Sequence, residues 1–253
     1  MDELLRALPA GARVLDLGAR TGSFQTVRRD LHIVRLDLDI PTRREAGSYV
    51  AADAARLPFR AGAFDLVVSN HSLEHFAELD AVLREIGRVA RPDAALFVAV
   101  PDAGTLADRI YRWMGRGGGH VNAFRSPEQV IALVERLTGL RHRGARVLIS
   151  SFCFLNRRNI AGRPQRKLAL FGFGGERFVA AMVWLLRAVD RRFGTRLSHY
   201  GWSSWFGSAA PEPSEPPWVN VCVRCGSGHP PKALPRAWTY RCPRCGGWNL
   251  RSG

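Results

Sequence analysis

Short apolar runs alternate with polar turns and helix-like segments over the first 150 residues. The apolar runs predict buried strands at Arg13–Leu17, Ile33–Leu38, Ser48–Ala52, Phe64–Asn70, Ala95–Val100 and Ala145–Phe154. Helical spacing predicts helices at Ser23–Asp30, at Leu79–Val89 and from the cap Ser126 to about Thr138. Strands that alternate with helices indicate an α/β fold with a mostly parallel sheet.

The turn after the first strand has the chemistry of a nucleoside-binding loop. Gly18-Ala-Arg-Thr-Gly22 follows that strand, and the second strand runs into acidic residues at Asp37 and Asp39. Glycines let the backbone approach a ligand closely, and a carboxylate at the end of the second strand accepts hydrogen bonds from ribose hydroxyls. The pattern therefore predicts a nucleotide-binding unit.

Several motifs in a fixed order resemble the class I S-adenosylmethionine-dependent methyltransferases of the type 11 group. The matching segments are Val14-Leu-Asp-Leu-Gly18 with Gly22, then Asp37, Asp53 before Leu57-Pro-Phe59, Phe64-Asp-Leu-Val-Val-Ser69, Leu73-Glu-His75, and Arg84 to Pro92. The resemblance covers roughly residues 10–155 and is specific because the motifs keep the family's order. It implies a Rossmann-like seven-stranded methyltransferase sheet.

The resemblance also implies a site for S-adenosylmethionine. Asp16, Gly18 and Gly22 would form the floor under the methionine part; Asp37 would bind the ribose hydroxyls; Asp53 and Ala54 would flank the adenine; Ser69, Asn70 and His71 would line the methyl-transfer pocket. In the first turn the family usually has a middle glycine, where this chain has Arg20. Either the turn is altered, or Arg20 pairs with the cofactor's carboxylate.

Three histidines are candidates for a general base: His71, His75 and His120. Methyl transfer needs a base only when the acceptor is a hydroxyl or a protonated amine. His75 could instead simply open a helix, and none of the three is a strong candidate from the sequence.

Two cysteine pairs near the end of the chain have the spacing of metal ligands: Cys222 with Cys225, and Cys242 with Cys245. This spacing suits one tetrahedral structural zinc ion in a small ribbon, which could grip nucleic acid, dock a protein or only staple the segment. Disulfides are disfavoured because no signal peptide is recognisable, and we expect a cytoplasmic protein. Cys153, in an apolar run, is expected to be an inert buried thiol.

We expect three parts in the chain: a Rossmann-like core at 1–154, a basic and aromatic insertion or lid with a linker at 155–217, and the last strand with the ribbon at 218–253. The insertion should contain a helix at Gly175–Phe193. The best candidate for the seventh, antiparallel strand is Trp218–Val223. That topology would bring the insertion out over the active site and carry the ribbon to the opposite end of the sheet.

The positive charge is confined to the second half of the chain. The net charge is +15, yet residues 1–140 hold equal numbers of basic and acidic side chains. A basic half attracts an anionic partner, although it could also be only a solvated arginine-rich face. No apolar stretch is long enough to cross a bilayer, and peripheral association with a membrane remains open.

We therefore expect methyl transfer from S-adenosylmethionine to an unidentified acceptor, either a small molecule, a glycan or a lipid-linked metabolite. A first alternative is an RNA or ribosomal-protein methyltransferase that uses the basic half as its grip. A second alternative is a non-catalytic cofactor-binding protein, supported only by Arg20.

Overall fold

The computed structural model describes residues 1–24, 28–42, 44–114, 119–153, 175–210, 220–229 and 231–251. In this part of the chain one short helix is followed by four strands before the next α-helix begins. The first seven strands are β1 (Arg13–Leu17), β2 (His32–Asp37), β3 (Ser48–Ala51), β4 (Phe64–Asn70), β5 (Ala90–Pro101), β6 (His142–Ile149) and β7 (His199–Phe206). The last four are β8 (Asn220–Val221), β9 (Gly228–His229), β10 (Thr239–Arg241) and β11 (Trp248–Leu250). The helices are α1 (Asp2–Ala7), α2 (Leu79–Val89), α3 (Leu106–Met114), α4 (Pro127–Thr138) and α5 (Glu176–Phe193), with 3-10 turns at Leu73–His75 and Pro231–Ala233.

Seven strands form one sheet in the order β3-β2-β1-β4-β5-β7-β6. The strands β1 to β5 are parallel, and Leu17 at the end of β1 pairs with Leu36 on one side and Ser69 on the other. Apolar residues on both faces of β1 and β4 are fully buried, which explains their nearly continuous apolar sequence. The predicted Rossmann-like methyltransferase sheet is confirmed.

The seventh strand is β7, so the prediction that Trp218–Val223 is the last strand of the sheet is wrong. The amide of Gly207 donates to the carbonyl of Arg141 at 2.8 Å, and the amide of Ser150 donates to the carbonyl of Ser198 at 2.7 Å. Along the paired strands the residue numbers rise in β6 and fall in β7. The two strands are therefore antiparallel. The aromatic run of β7, interpreted from sequence as a substrate-facing cluster, is instead buried in the sheet at Trp202, Trp205 and Phe206.

One predicted helix is absent from its described residues, one helix was not predicted, and the other predicted helices were confirmed to within a residue or two. Within Ser23–Asp30 the described residues, 23–24 and 28–30, are not helical, and residues 25–27 lie outside the described part of the chain. The Arg28 guanidinium donates to the carbonyl of Leu8 at 2.6 Å. Helix α3 was not predicted from the sequence. The predicted cap of α4 is present, since the hydroxyl of Ser126 accepts from the amide of Gln129 at 3.2 Å.

The chain divides into two compact units. The sheet unit comprises Met1–Pro101, Val121–Arg146 and Trp202–Pro213. The ribbon unit comprises Asp102–His120, Val147–Gly201 and Ser214–Gly253. The separation of residues 155–217 from residues 218–253 stays a prediction, and residues 154–174 and 211–219 lie outside the described part of the chain.

The ribbon unit is built around α5. Val179, Ala180 and Val183 of this helix pack with Val223 and Phe152, and Trp248 and Leu250 of β11 lie against the same cluster. Glu176 accepts from the Arg224 guanidinium at 2.5 Å. The expectation that the ribbon is carried away from the insertion is therefore wrong, because the ribbon packs on the insertion's own helix. Among the described residues, no helix combines the length and the apolar character needed to cross a membrane.

Candidate functional site

The loop after β1 has an unusual backbone conformation, because three of its residues have positive φ angles. Gly18, Arg20 and Gly22 all have positive φ angles, of 67°, 46° and 124°. A Cβ atom on Gly18 would lie 2.5 Å from the Cβ of Ser72, so only glycine fits there. Arg20 accepts a left-handed conformation that costs roughly 1–2 kcal/mol for a residue other than glycine. The turn therefore keeps its left-handed path although its middle residue is an arginine.

Asp37 compensates for that strain by binding the turn. Its Oδ2 accepts from the amide of Arg20 at 2.7 Å, and its Oδ1 accepts from the amide of Leu38 at 2.8 Å. A carboxylate offers about four lone-pair positions, so two hydrogen bonds leave acceptor capacity. Asp37 is half-buried at the carboxyl end of β2.

Asp53 follows the neighbouring strand at the same edge. Asp37 pairs with Ala51 at the end of β3, and parallel strands end at the same edge of a sheet. Asp53 is exposed, and its Oδ1 accepts from the amide of Ala55 at 2.9 Å, while Ala54 is buried. The structure thus brings the two predicted ligand acids to one sheet edge.

Asp16 is fully buried and braces the loop from below. It forms an ion pair with Arg35 of β2, and its Oδ2 accepts from the amide of Ser23 at 3.0 Å. Burial raises the pKa of the Asp16 carboxyl, and the hydrogen bond from Ser23 and the charge of Arg35 oppose that rise. Arg35 also donates to the carbonyl of Phe24 at 2.9 Å and to that of Ala46 at 3.1 Å.

Arg35 is the main residue that the sequence analysis missed. A charged side chain in the middle of the otherwise apolar strand His32–Asp37 was the available signal, because a buried charge needs a buried partner. Its three kinds of contact, to Asp16, Phe24 and Ala46, tie the first two strands to the loops that follow them.

The end of β4 adds a second polar turn at the same edge. The hydroxyls of Ser69 and Ser72 are 2.6 Å apart, and Ser72 donates to the carbonyl of Leu17 at 3.0 Å. Asn70 is half-buried, and His71 has a φ of 57° and donates its amide to Ala99 at 2.9 Å. The structure thus places Ser69, Asn70 and His71 beside the strand that leads into the glycine loop.

The three candidate bases have different surroundings. The Nδ1 of His71 is 3.7 Å from the Oε1 of the buried Glu74, whereas His75 is exposed. In the ribbon unit, the Nδ1 of His120 is 3.3 Å from the Oδ1 of Asp108, and both side chains are buried. Each of His71 and His120 therefore has an acid near its ring, which the sequence did not reveal.

The four predicted cysteine ligands converge, with their sulfur atoms all within 4.8 Å of one another. The sulfurs of Cys222 and Cys245 are 3.6 Å apart and those of Cys225 and Cys242 are 3.8 Å apart. Four sulfurs at a zinc–sulfur distance of about 2.3 Å sit roughly 3.8 Å apart at the corners of a tetrahedron. The spacing therefore fits a zinc ion.

Both halves of the cysteine cluster have the same backbone. The amide of Gly226 donates to the backbone carbonyl of Cys222, and the amide of Gly246 donates to the backbone carbonyl of Cys242, each at 2.8 Å. Both glycines have positive φ angles, 76° and 67°. Cys153, predicted to be a buried thiol, is half-buried in the ribbon unit.

Comparisons with known proteins agree with this geometry. A model of the methyltransferase domain matches residues 15–98. The malonyl-[acyl-carrier protein] O-methyltransferase of Pseudescherichia vulneris is 32% identical over 51% of this chain and 55% of its own length. The tRNA (carboxymethyluridine(34)-5-O)-methyltransferase ALKBH8 of Macaca fascicularis is 34% identical over 39% of this chain and 16% of its own length.

The fold also matches a solved structure, a putative methyltransferase from an antibiotic biosynthesis pathway of Anabaena variabilis. The two chains are 18% identical with a TM-score of 0.55, covering 81% of this chain and 95% of the other. The chain spans about half the length of the first curated relative. Residues 15–98 therefore match the methyltransferase domain, and the fold of the chain is that of a solved putative methyltransferase.

Proposed function

We propose that the protein transfers a methyl group from S-adenosylmethionine to an acceptor at the carboxyl edge of the sheet. The supporting observation is the convergence there of Asp37, Asp53 and the left-handed loop at Gly18, inside the segment that matches the methyltransferase domain. Ligands of open α/β sheets bind at this edge.

The residues present suit the cofactor. When bound, S-adenosylmethionine supplies the transferable methyl group on its sulfonium. Asp37 retains acceptor capacity for the ribose hydroxyls, and the exposed Asp53 can accept from the adenine amine. Gly18 lets the loop pack closely against Ser72. The buried pair of Asp16 and Arg35 fixes the loop, and Asp16 stays a candidate for the floor under the methionine part.

The acceptor side is proposed to use the end of β4. Ser69, Asn70 and His71 follow the strand next to β1, and Glu74 can orient the His71 ring. His71 is the best placed of the three histidines to take a proton from a hydroxyl or amine acceptor. His75, which is exposed, is a weaker candidate, and His120 is buried beside Asp108.

For the acceptor itself, we favour a small molecule, a glycan or a lipid-linked metabolite. One relative methylates a malonyl-[acyl-carrier protein], which is a carrier-bound small acceptor. Another relative methylates tRNA, which supports the alternative of an RNA acceptor. A non-catalytic role rested on Arg20 alone, and Arg20 fits the turn through its hydrogen bond to Asp37.

The proposed role of the metal is structural. Zinc bound by Cys222, Cys225, Cys242 and Cys245 would have only thiolate ligands, so no coordination position would be open for a substrate. Such an ion would hold the two hairpins of the ribbon together.

The proposal is tested by incubating the full chain with S-adenosylmethionine radiolabelled on the methyl group and a fractionated lysate. We expect label in one fraction with the wild type and a loss of at least tenfold with Asp37→Ala, which removes a charged hydrogen-bond acceptor. Asp93→Ala, which removes an exposed acid at the start of β5, is the matched control and should transfer normally. Absence of label from every fraction would contradict methyl transfer, whereas label in RNA would select the alternative acceptor.

A further inference from the structure

We propose that the cysteine ribbon binds single-stranded nucleic acid, with Trp238 as the stacking platform and Arg236, Arg241 and Arg244 as the phosphate contacts. The proposal concerns binding alone, so it stands or falls separately from methyl transfer. If the acceptor is RNA, the ribbon is its grip; if the acceptor is small, the ribbon tethers the enzyme to nucleic acid.

Trp238 is the most exposed large apolar side chain among the described residues, with 77% of its surface accessible. Its backbone is nevertheless fixed, because its carbonyl accepts from the amide of Arg251 at 2.8 Å. The Arg251 guanidinium donates to the carbonyl of Pro235 at 2.7 Å, just before the exposed segment. An exposed aromatic ring contributes little to the stability of the fold, so its exposure indicates an interaction site. Because its loop is already fixed, the ring loses little conformational entropy when a ligand binds.

The ribbon segment is uniformly basic. Residues 220–251 contain five arginines and one lysine and no acidic residue. Arg236, Arg241 and Arg244 are exposed, and none of the three forms an ion pair within the described part of the chain. Even with the doubly negative charge of a zinc–tetrathiolate centre, the segment keeps a net positive charge. Such a surface attracts a polyanion.

The cations flank the aromatic ring along the chain. Arg236 lies two residues before Trp238 and Arg241 three residues after it, and three extended residues span at most about 10 Å. Arg244 is steadied by the hydroxyl of Ser227 at 3.3 Å. An aromatic ring between cations matches a strand that exposes bases and phosphates together. A duplex hides the faces of its bases, so this arrangement favours single strands.

Fluorescence anisotropy with labelled 12-nucleotide oligo-U and oligo-dT tests the proposal on the full chain. Stacking on an aromatic ring contributes enough that Trp238→Ala should weaken binding roughly tenfold. Trp113→Ala removes a 48% exposed tryptophan on α3 and is the matched control, with no expected change. Arg241→Gln and Arg244→Gln should each lower the slope of log affinity against log salt by roughly 0.7. Zinc content and the melting temperature of every variant show that the ribbon is intact.

Several results would overturn the proposal. Equal losses of oligonucleotide affinity in Trp238→Ala and Trp113→Ala would show that the Trp238 ring is not the stacking platform. Equal affinity for a 12-base-pair duplex would rule out stacking on exposed bases. Binding to phosphatidylglycerol vesicles without binding to either oligonucleotide would assign the surface to lipid instead. Asp37→Ala should bind the oligonucleotides normally, so a failure of methyl transfer leaves this test unaffected. A preference for oligo-U over oligo-dT would identify RNA as the partner.

Discussion

The sheet unit and the ribbon unit place their polar groups in opposite ways. In the sheet unit the strands are mostly apolar. Apart from the buried pair of Asp16 and Arg35, the polar groups of the candidate site gather at strand ends, where Asp37 and Ser72 hold backbone turns. In the ribbon unit the strands have only two or three residues, and polar groups lie inside the packing. Burial even lowers the pKa of the Arg187 guanidinium on α5 to about 10. The comparison teaches that the first unit is held together by its strands, whereas the second is built around the helix α5 and the four-cysteine cluster that we propose to bind zinc.

Removal of the metal should have the largest effect and should separate the two units. We expect one zinc per chain in the wild type and less than half an equivalent in Cys242→Ser, since structural zinc contributes roughly 10–16 kcal/mol to folding such a segment. Hydrogen exchange should then become fast in β8 to β11 while the sheet unit stays protected. Elemental analysis with hydrogen-exchange mass spectrometry measures both.

Cys153→Ser is the matched control for that experiment, because it removes a cysteine of the same unit that is not part of the four-sulfur cluster. It should keep its zinc. Wild-type protein with two disulfides and no metal would contradict the proposed site, and equal deprotection of β1 and β4 would contradict the independence of the sheet unit.

Arg35→Leu should have the next largest effect, within the sheet unit. The substitution leaves the Asp16 carboxylate buried without its partner, which costs about 3–5 kcal/mol of unfolding free energy. Adding Asp16→Asn should recover part of the loss. Urea unfolding measures both variants. Arg91→Ala removes half-exposed ion pairs to Asp65 and Asp93 and should change stability by less than about 1 kcal/mol. Equal losses of unfolding free energy in Arg35→Leu and Arg91→Ala would show that the buried pair of Arg35 and Asp16 is unimportant for stability.

Asp190→Asn should have a smaller, pH-dependent effect in the ribbon unit. Burial alone would raise the pKa of Asp190, but hydrogen bonds from Ser198, Thr195 and Leu197 outweigh it and lower the pKa. A lowered pKa in the folded state gives stability that is present above the ordinary value near 3.9 and is lost as pH falls through the folded value.

We therefore expect Asp190→Asn to cost about 2–3 kcal/mol at neutral pH and progressively less below about pH 4. Urea unfolding of the wild type and the variant at several pH values measures the difference. Asp80→Asn, at a half-exposed pair on α2, is the control and should be nearly neutral throughout. A difference that grows toward low pH would contradict the assigned direction of the shift.

The sequence predicted the sheet unit much better than the ribbon unit, and the reason is physical. Parallel strands buried on both faces have long apolar runs, and the turn residues Gly18 and Asp37 follow directly from where those runs end. The cysteine spacing likewise predicts the four-sulfur cluster, because ligand spacing is local.

What the sequence did not predict depends on contacts between distant segments. The strand His199–Phe206 was missed because its buried serines and aromatics lack a simple alternation, and its position is set by pairing with β6, which is distant in the sequence. The Arg35 pair and the packing of Arg224 against Glu176 join residues 19 and 48 positions apart. No local pattern specifies such pairs.

Calorimetric titration of S-adenosylhomocysteine into the wild type, Asp37→Ala and Asp53→Ala tests the proposed cofactor site most directly. We predict micromolar-scale binding by the wild type and a weakening of roughly tenfold or more in each variant, because each loses a charged hydrogen-bond acceptor. Asp93→Ala should bind like the wild type. Unchanged affinity in both Asp37→Ala and Asp53→Ala would contradict the assignment of the cofactor to the carboxyl edge of the sheet.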